Sequence, residues 1–213
     1  AQKLDHKIIS IKPQRSRNRY NIIFESGDVF GISGDVLLSR NLSEGEYISD
    51  KELNKIKNDE VYQKIKEKIF RLLSYRARSR FELYTRISAK GFDKPQVSHV
   101  LDELEAKGYI DDSEFSKMYA MHLIKSKYLG RISVKYQFIK HQIPQEILNP
   151  ILDELYTKYP VEDLIKKIIN KKVDILDAEL INDKKLIYHI KRKEWISVKK
   201  STDNTQKVLR KQT

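Results

Sequence analysis

The sequence predicts a mainly α protein: tandem three-helix repeats forming an elongated curved array, preceded by a small β-rich N-terminal extension. Three observations lead there. Four of the seven glycines lie between Gly27 and Gly45, which confines β-type turn punctuation to the N-terminal quarter. From Ser49 on, apolar residues recur at helical spacing and helix-start signatures follow one another. A segment then repeats at a constant offset of 51 residues.

Taken in order, Lys7 to Ile11, Tyr20 to Phe24 and Val29 to Ile32 are short runs rich in Ile, Val, Phe and Tyr, and read as strands. Ser26-Gly27-Asp28 joins the last two as a hairpin turn. Lys12, Arg15, Arg17 and Arg19 crowd the first connection. Ser49 and Glu52 form a capping box, and Leu53, Ile56, Tyr62, Ile65, Ile69, Leu72 and Leu73 follow with no Gly or Pro before Gly91. That stretch fits one long helix or two broken near Asn58-Asp59. Further boxes stand at Ser79 with Glu82, at Asp93 with Gln96 (Pro95 in the first turn), and at Asp111 with Glu114. Each marks a separate helix.

The repeat sets the domain organisation. Phe92 to Leu104 aligns with Ile143 to Leu155, both ending in L-D-E-L, and the same 51-residue offset places Leu83 on Val134 and Ile87 on Phe138. A third copy runs from Lys184 to Trp195, with Leu186, Ile190 and Trp195 over Val134, Phe138 and Ile143. Residues 1–48 are therefore assigned to the β-rich extension, 49–109, 110–159 and 160–213 to three helical repeats, the last with a frayed basic C-terminus around a helix near Gln206 to Leu209. Pro150, inside a helix that its partner His99 occupies unbroken, predicts a kink or a short N-terminal start there.

Composition limits the chemistry. With 39% apolar and 34% charged residues, the chain suits thin helical layers with large surfaces. The absence of Cys removes disulfides, Cys-ligated zinc, iron–sulfur clusters and thiol nucleophiles, and fits a reducing compartment. No apolar signal-peptide core and no run of the ~18 apolar residues of a membrane span is found, so a soluble, cytosolic protein is expected. The five His residues show no H-x-x-x-H or H-E-x-x-H spacing, and no phosphate-loop motif occurs. Asp102-Glu103, Asp111-Asp112 and Asp153-Glu154 read as polar faces and caps rather than as a converging metal site. No enzyme, metal or cofactor is predicted.

The net charge of +12 points instead to nucleic acid or an acidic partner, and residues 61 to 100 hold 10 basic against 3 acidic residues. Lys64, Lys68 and Arg71 fall at i, i+4 and i+7 on one face, opposite Ile65 and Ile69. The following turn holds Arg76, Arg78 and Arg80, with Arg86 on the next helix, and Lys125, Lys127 and Arg131 continue the theme in the second repeat. These ten residues are the candidate nucleic-acid contacts, suited to a phosphate backbone rather than to base readout. Lys191, Arg192, Lys193, Lys199 and Lys200 serve equally as a solubilising or a binding end. Tyr75, beside the Arg cluster, reads as a packing residue rather than a base-stacking one, and Trp195 as a core plug.

One string carries more than composition. S-Y-R-A-R-S-R-F-E-L from Ser74 to Leu83 is followed by K-G-F at Lys90 to Phe92, V-L-D-E-L at Val100 to Leu104, G-Y-I-D-D-S-E-F at Gly108 to Phe115, and Gly130 opening the next repeat. In these motifs the sequence resembles the RecX family of RecA regulators from Glu60 to Leu155, and Arg19 to Ser33 looks like the β extension some members carry. Where the first copy has Gly91, the second and third have Gln142 and Glu194, which removes the usual glycine from those helix ends. The resemblance implies a non-enzymatic monomer in the cytoplasm that binds the RecA nucleoprotein filament along its groove. It further implies inhibition of ATP hydrolysis, strand exchange and LexA cleavage, hence modulation of recombination and the SOS response, and contact with single- and double-stranded DNA. The alternative is a stand-alone basic helical DNA-binding protein; a nuclease is a distant third.

Overall fold

The computed structural model describes residues 5–173. Strands β1 (Asp5–Pro13), β2 (Arg19–Phe24) and β3 (Val29–Ser33) come first, then a short helix α1 (Gly34–Ser39) and strand β4 (Tyr47–Ser49). They form one antiparallel sheet in the order β3-β2-β1-β4, with Ile11 opposite Ile22 and His6 opposite Ile48. A bulge between Ile8 and Ser10 shifts the register of β1 against β2. The three strands expected from the sequence are present, while α1 and β4 add to them. Both are too short for a periodic signal, at six and three residues. Gly34 starts α1 where a Cβ would lie 2.0 Å from Asn18 Oδ1, so any side chain here would force the Asn18 side chain to shift.

Ile8, Ile22, Phe24 and Ile32 of the sheet bury themselves with Val36, Ile48, Leu53 and Ile56. The last two belong to α2 (Asp50–Leu73), which runs unbroken for 24 residues through Asn58-Asp59 and begins with both bonds of the Ser49/Glu52 capping box. One turn beyond Ile56, Glu60 is 1% exposed. Its carboxylate accepts the Ser33 N–H at 2.7 Å and an Arg19 N–H at 2.5 Å, and Lys64 Nζ lies 3.4 Å away. A buried carboxylate costs several kcal/mol when its lone pairs are unmet. Here both oxygens are met, and the sheet is pinned to the helix.

The remaining elements are α3 (Arg80–Ser88), α4 (Lys94–Ala106), α5 (Asp112–Lys127), α6 (Arg131–Phe138) continued by a 3₁₀ turn Ile139–His141, α7 (Gln145–Lys158) and α8 (Val161–Val173). Ser79 Oγ caps α3 by accepting the Glu82 N–H at 3.2 Å, and Asp111 caps α5 through the Ser113 and Glu114 N–H groups at 2.7 and 2.9 Å. The 51-residue register reappears element by element: α3 starts at Arg80 and α6 at Arg131, α4 at Lys94 and α7 at Gln145. Leu83 and Val134, Ile87 and Phe138, Val97 and Leu148, Leu101 and Leu152, and Leu104 and Leu155 are all buried. The Gln142 substitution does not change how the helix ends. Gly91 takes φ +84° and Gln142 takes φ +50°, so both chains turn through the left-handed region at the same place. At Pro150, α7 continues without a break, the proline standing exposed inside the helix after five helical residues.

Contacts divide the described residues into two compact units, one reaching to Arg76 and including Leu83–Ala106, the other combining Ala77–Glu82 with the described residues from Lys107 on. The β extension and α2 therefore share a unit, because the inner face of the sheet is closed by Leu53 and Ile56. The core of the second unit is built from Phe115, Leu123 and Ile124 of α5, Val134 and Phe138 of α6, Leu148, Leu152 and Leu155 of α7, and Leu164, Ile165 and Ile168 of α8. The third copy at Lys184 to Trp195, the segment near Gln206 to Leu209 and the basic cluster around Lys191 lie outside the described residues.

Candidate nucleic-acid interface

Within the first unit, α2 carries Lys64, Lys68 and Arg71. Ile65 and Ile69 are fully buried, but at 3.6 residues per turn they lie about 100° round from the cations rather than diametrically opposite. Lys64 consequently sits at the edge of the buried face and pairs with Glu60. Lys68 and Arg71 are exposed, and the Lys68 ammonium lies 5.9 Å from the centroid of the Phe92 ring. Arg76 and Arg86 are also exposed. Arg71 and Arg86 occupy the last turns of α2 and α3, where a cation complements the helix dipole.

In the second unit the predicted residues differ more. The Arg78 side chain is 10% exposed and ion-paired to Glu82, itself 12% exposed, so its guanidinium is committed within the fold. Arg80 is half-buried, and its backbone N–H donates to Asp112 Oδ1 at 2.8 Å. Lys125 and Lys127 are exposed in the last turn of α5, Lys125 with its ammonium 5.6 Å from the Tyr159 ring centroid. Arg131 donates to Asp153 at 2.6 Å, with 37% of its side chain exposed. The Asp153 of the second L-D-E-L is thus an ion-pair partner, as the polar-face reading of these acids anticipates. Tyr156, beside this pair, donates its hydroxyl to the Leu129 carbonyl at 2.8 Å. Burial pushes that phenol above its ordinary range, against a smaller opposing pull from Arg131.

Two surroundings were not legible in the sequence, that of Ser79 and that of Tyr75. Ser79 lies 3.2 Å from His141 Nδ1, and the His141 ring packs against Phe115 and Tyr119 at 4.9 and 5.2 Å between centroids. A lone His gives no sequence signal of this role. Tyr75, read as packing, is instead 74% exposed beside the exposed Arg76. Among the described residues no cluster of three or more His, Cys, Asp or Glu could hold a metal ion, and no helix is long and apolar enough to cross a membrane.

The motifs and the doubled helical register find the same match elsewhere. A model of the first three-helix domain of RecX matches residues 66–104, from the last turns of α2 through α3 and most of α4. "Regulatory protein RecX" of Listeria monocytogenes serotype 4a is 26% identical over 164 residues, which is 76% of this chain and 61% of that protein. Its counterpart in Clostridium tetani is 27% identical over 186 residues, 86% of this chain and 84% of that one. In these matches the chain is similar to RecX proteins. It spans about 61% of the length of the Listeria relatives. The RecX fold agrees in solved form: a crystal structure of regulatory protein RecX superposes with a TM-score of 0.69 at 19% identity, covering 91% of this chain and 96% of that one. The RecX structure from Lactobacillus salivarius gives 0.55 at 18% identity, covering 71% and 96%. Mainly helical architecture with an N-terminal antiparallel sheet is accordingly a fold that this chain shares with a solved RecX structure.

Proposed function

We propose that this chain is a non-enzymatic regulator that binds the RecA nucleoprotein filament and lowers its ATPase, strand-exchange and coprotease activities, thereby modulating recombination and the SOS response. The observation that carries this reading is the 51-residue register of paired helices, α3–α4 and α6–α7, in a chain whose first pair lies in the matched RecX domain. The helix pairs α3–α4 and α6–α7 repeat one arrangement along the chain, which suits a partner that is itself repetitive. Exposed Lys68, Arg71, Arg76, Arg86, Lys125 and Lys127 supply phosphate contacts to single- or double-stranded DNA within such a filament. The protein acts as a cytoplasmic monomer without a cofactor.

The test is RecA ATP hydrolysis on single-stranded DNA titrated with this protein, beside its affinity for the same DNA bare. Inhibition at concentrations well below those that saturate bare DNA is the expected result. Inhibition that merely follows DNA occupancy would favour the second reading, a stand-alone DNA-binding protein, for which the exposed cations are sufficient. DNA cleavage with added divalent metal would overturn both.

A further inference from the structure

Helix α6 and its 3₁₀ continuation expose three large apolar side chains on one face: Ile132 at 57%, Tyr136 at 68% and Ile139 at 67%. They stand at i, i+4 and i+7, the spacing of a helix that inserts into a groove. Burial in the repeat does not need them, since Val134 and Phe138 already fill the core from the other side of α6. The equivalent positions of the first repeat, 51 residues earlier, are Phe81, Thr85 and Ser88, two of them polar. Of the two helix pairs among the described residues, the stripe therefore belongs to the second. An apolar row kept in water without a structural need marks an interaction surface.

The electrostatic setting names the partner. From Arg131 to His141 the chain contains Arg131, Lys135 and Lys140 and no Asp or Glu. Arg131 is tied to Asp153, whereas Lys140 is exposed next to Ile139. Two isoleucines have nothing to offer a phosphate backbone, whereas the core of a protein interface is apolar, enriched in aromatic residues such as Tyr and poor in charge, with a polar rim. We infer that the Ile132, Tyr136 and Ile139 face of α6 is a protein-docking surface, taken by a groove with an apolar floor and a carboxylate-bearing rim on the protein of the filament. This rests on the proposed function above and assigns protein contact to the second repeat, apart from the cations of α2 and α3.

The experiment compares wild type with an Ile132→Ser, Tyr136→Ser, Ile139→Ser triple variant and with Lys140→Glu, all at exposed sites, after circular dichroism confirms unchanged helix content. Binding is measured to a RecA filament assembled on single-stranded DNA with a slowly hydrolysed ATP analogue, to the same DNA bare, and to itself by sedimentation. The triple variant should lose roughly tenfold or more in filament affinity with bare-DNA affinity unchanged, as truncation of anchor residues does. Lys140→Glu should weaken filament binding in the same direction, and more so at low salt. If the triple variant and Lys140→Glu both bind the filament as wild type does, the docking surface is refuted while the regulator reading stands. Equal loss on bare DNA would make the face a nucleic-acid surface, and a wild-type dimer that the triple variant dissolves would make it a self-association surface; each overturns the inference. Wild type with no preference for filament over bare DNA would sink the regulator reading and this inference together.

Discussion

Gln142 holds a left-handed backbone, φ +50° and ψ +38°, where the first repeat uses Gly91. A residue with a Cβ pays about 1 kcal/mol or more for that conformation, partly offset because glycine loses more chain entropy on folding. Gln142→Gly should therefore raise stability by up to about 1 kcal/mol, and Gly91→Gln should lower it by a similar amount, measured by urea unfolding. Tyr156 supports a second prediction. Its folded-state pKa is raised, so the unfolded chain releases this proton first, and stability is intact below the ordinary phenol value of ~10 and falls as pH rises above it. Tyr156→Phe should remove this part of the alkaline decline, while costing about 1 kcal/mol at neutral pH for the lost bond to Leu129. An unchanged alkaline slope in the variant would show that another group carries the decline. Both residues are polar in the sequence and give no hint of their backbone state or burial, since each depends on what surrounds it.

The paired helices are where sequence and structure agree most closely. Leu101 and Leu152 occupy the same slot in α4 and α7, and both are fully buried. Cutting either to Ala should cost roughly 2 to 5 kcal/mol. Because Leu101 belongs to the first unit and Leu152 to the second, the loss should appear as faster amide exchange in α4 for one variant and in α7 for the other. Identical exchange patterns would contradict independent units. These helices were legible because a buried stripe recurs every three or four residues, Ser79 and Asp93 precede the starts of α3 and α4, and α6 and α7, which start without a side-chain cap, follow at the 51-residue offset. α1 and β4 were not, since six and three residues are too few for a period, and their place is set by partners: Ser33 capping α1, and β1 pairing with β4. The ten candidate cations were legible only as cations. Arg78 is paired to Glu82 in near-complete burial, so Arg78→Ala should destabilise the fold, by about 3 kcal/mol on the scale of a broken buried pair, with little change in the salt slope of DNA binding.

At the scale of the whole molecule, the +12 charge gives a ready measurement. Arg71→Ala and Arg86→Ala should each flatten the dependence of DNA affinity on salt by about one unit of slope, equally across DNA sequences. Equal slopes for wild type and the double variant would remove α2 and α3 from the interface. Nearness in sequence does not predict membership in a unit. Arg76 falls in the first and Arg78 in the second, because Ala77–Glu82 is held by Ser79 near His141, by Asp112 on the Arg80 N–H, and by Ala77 against the second core.

The sequence by itself determined the class of the protein, the starts of α2 to α5, the 51-residue register and the likeness to RecX, since all four rest on local periodicity, capping chemistry and residue identity in register. Only the tertiary structure decided which cations are exposed and which are spent on Glu60, Glu82 and Asp153. It also decided that the sheet closes on α2 and that Ile132, Tyr136 and Ile139 stay in water. The physical reason is the same in each case. Exposure and ion pairing are set by contacts between residues tens of positions apart, as from Arg19 to Glu60 and from Arg131 to Asp153, and such distances leave no trace in a local pattern.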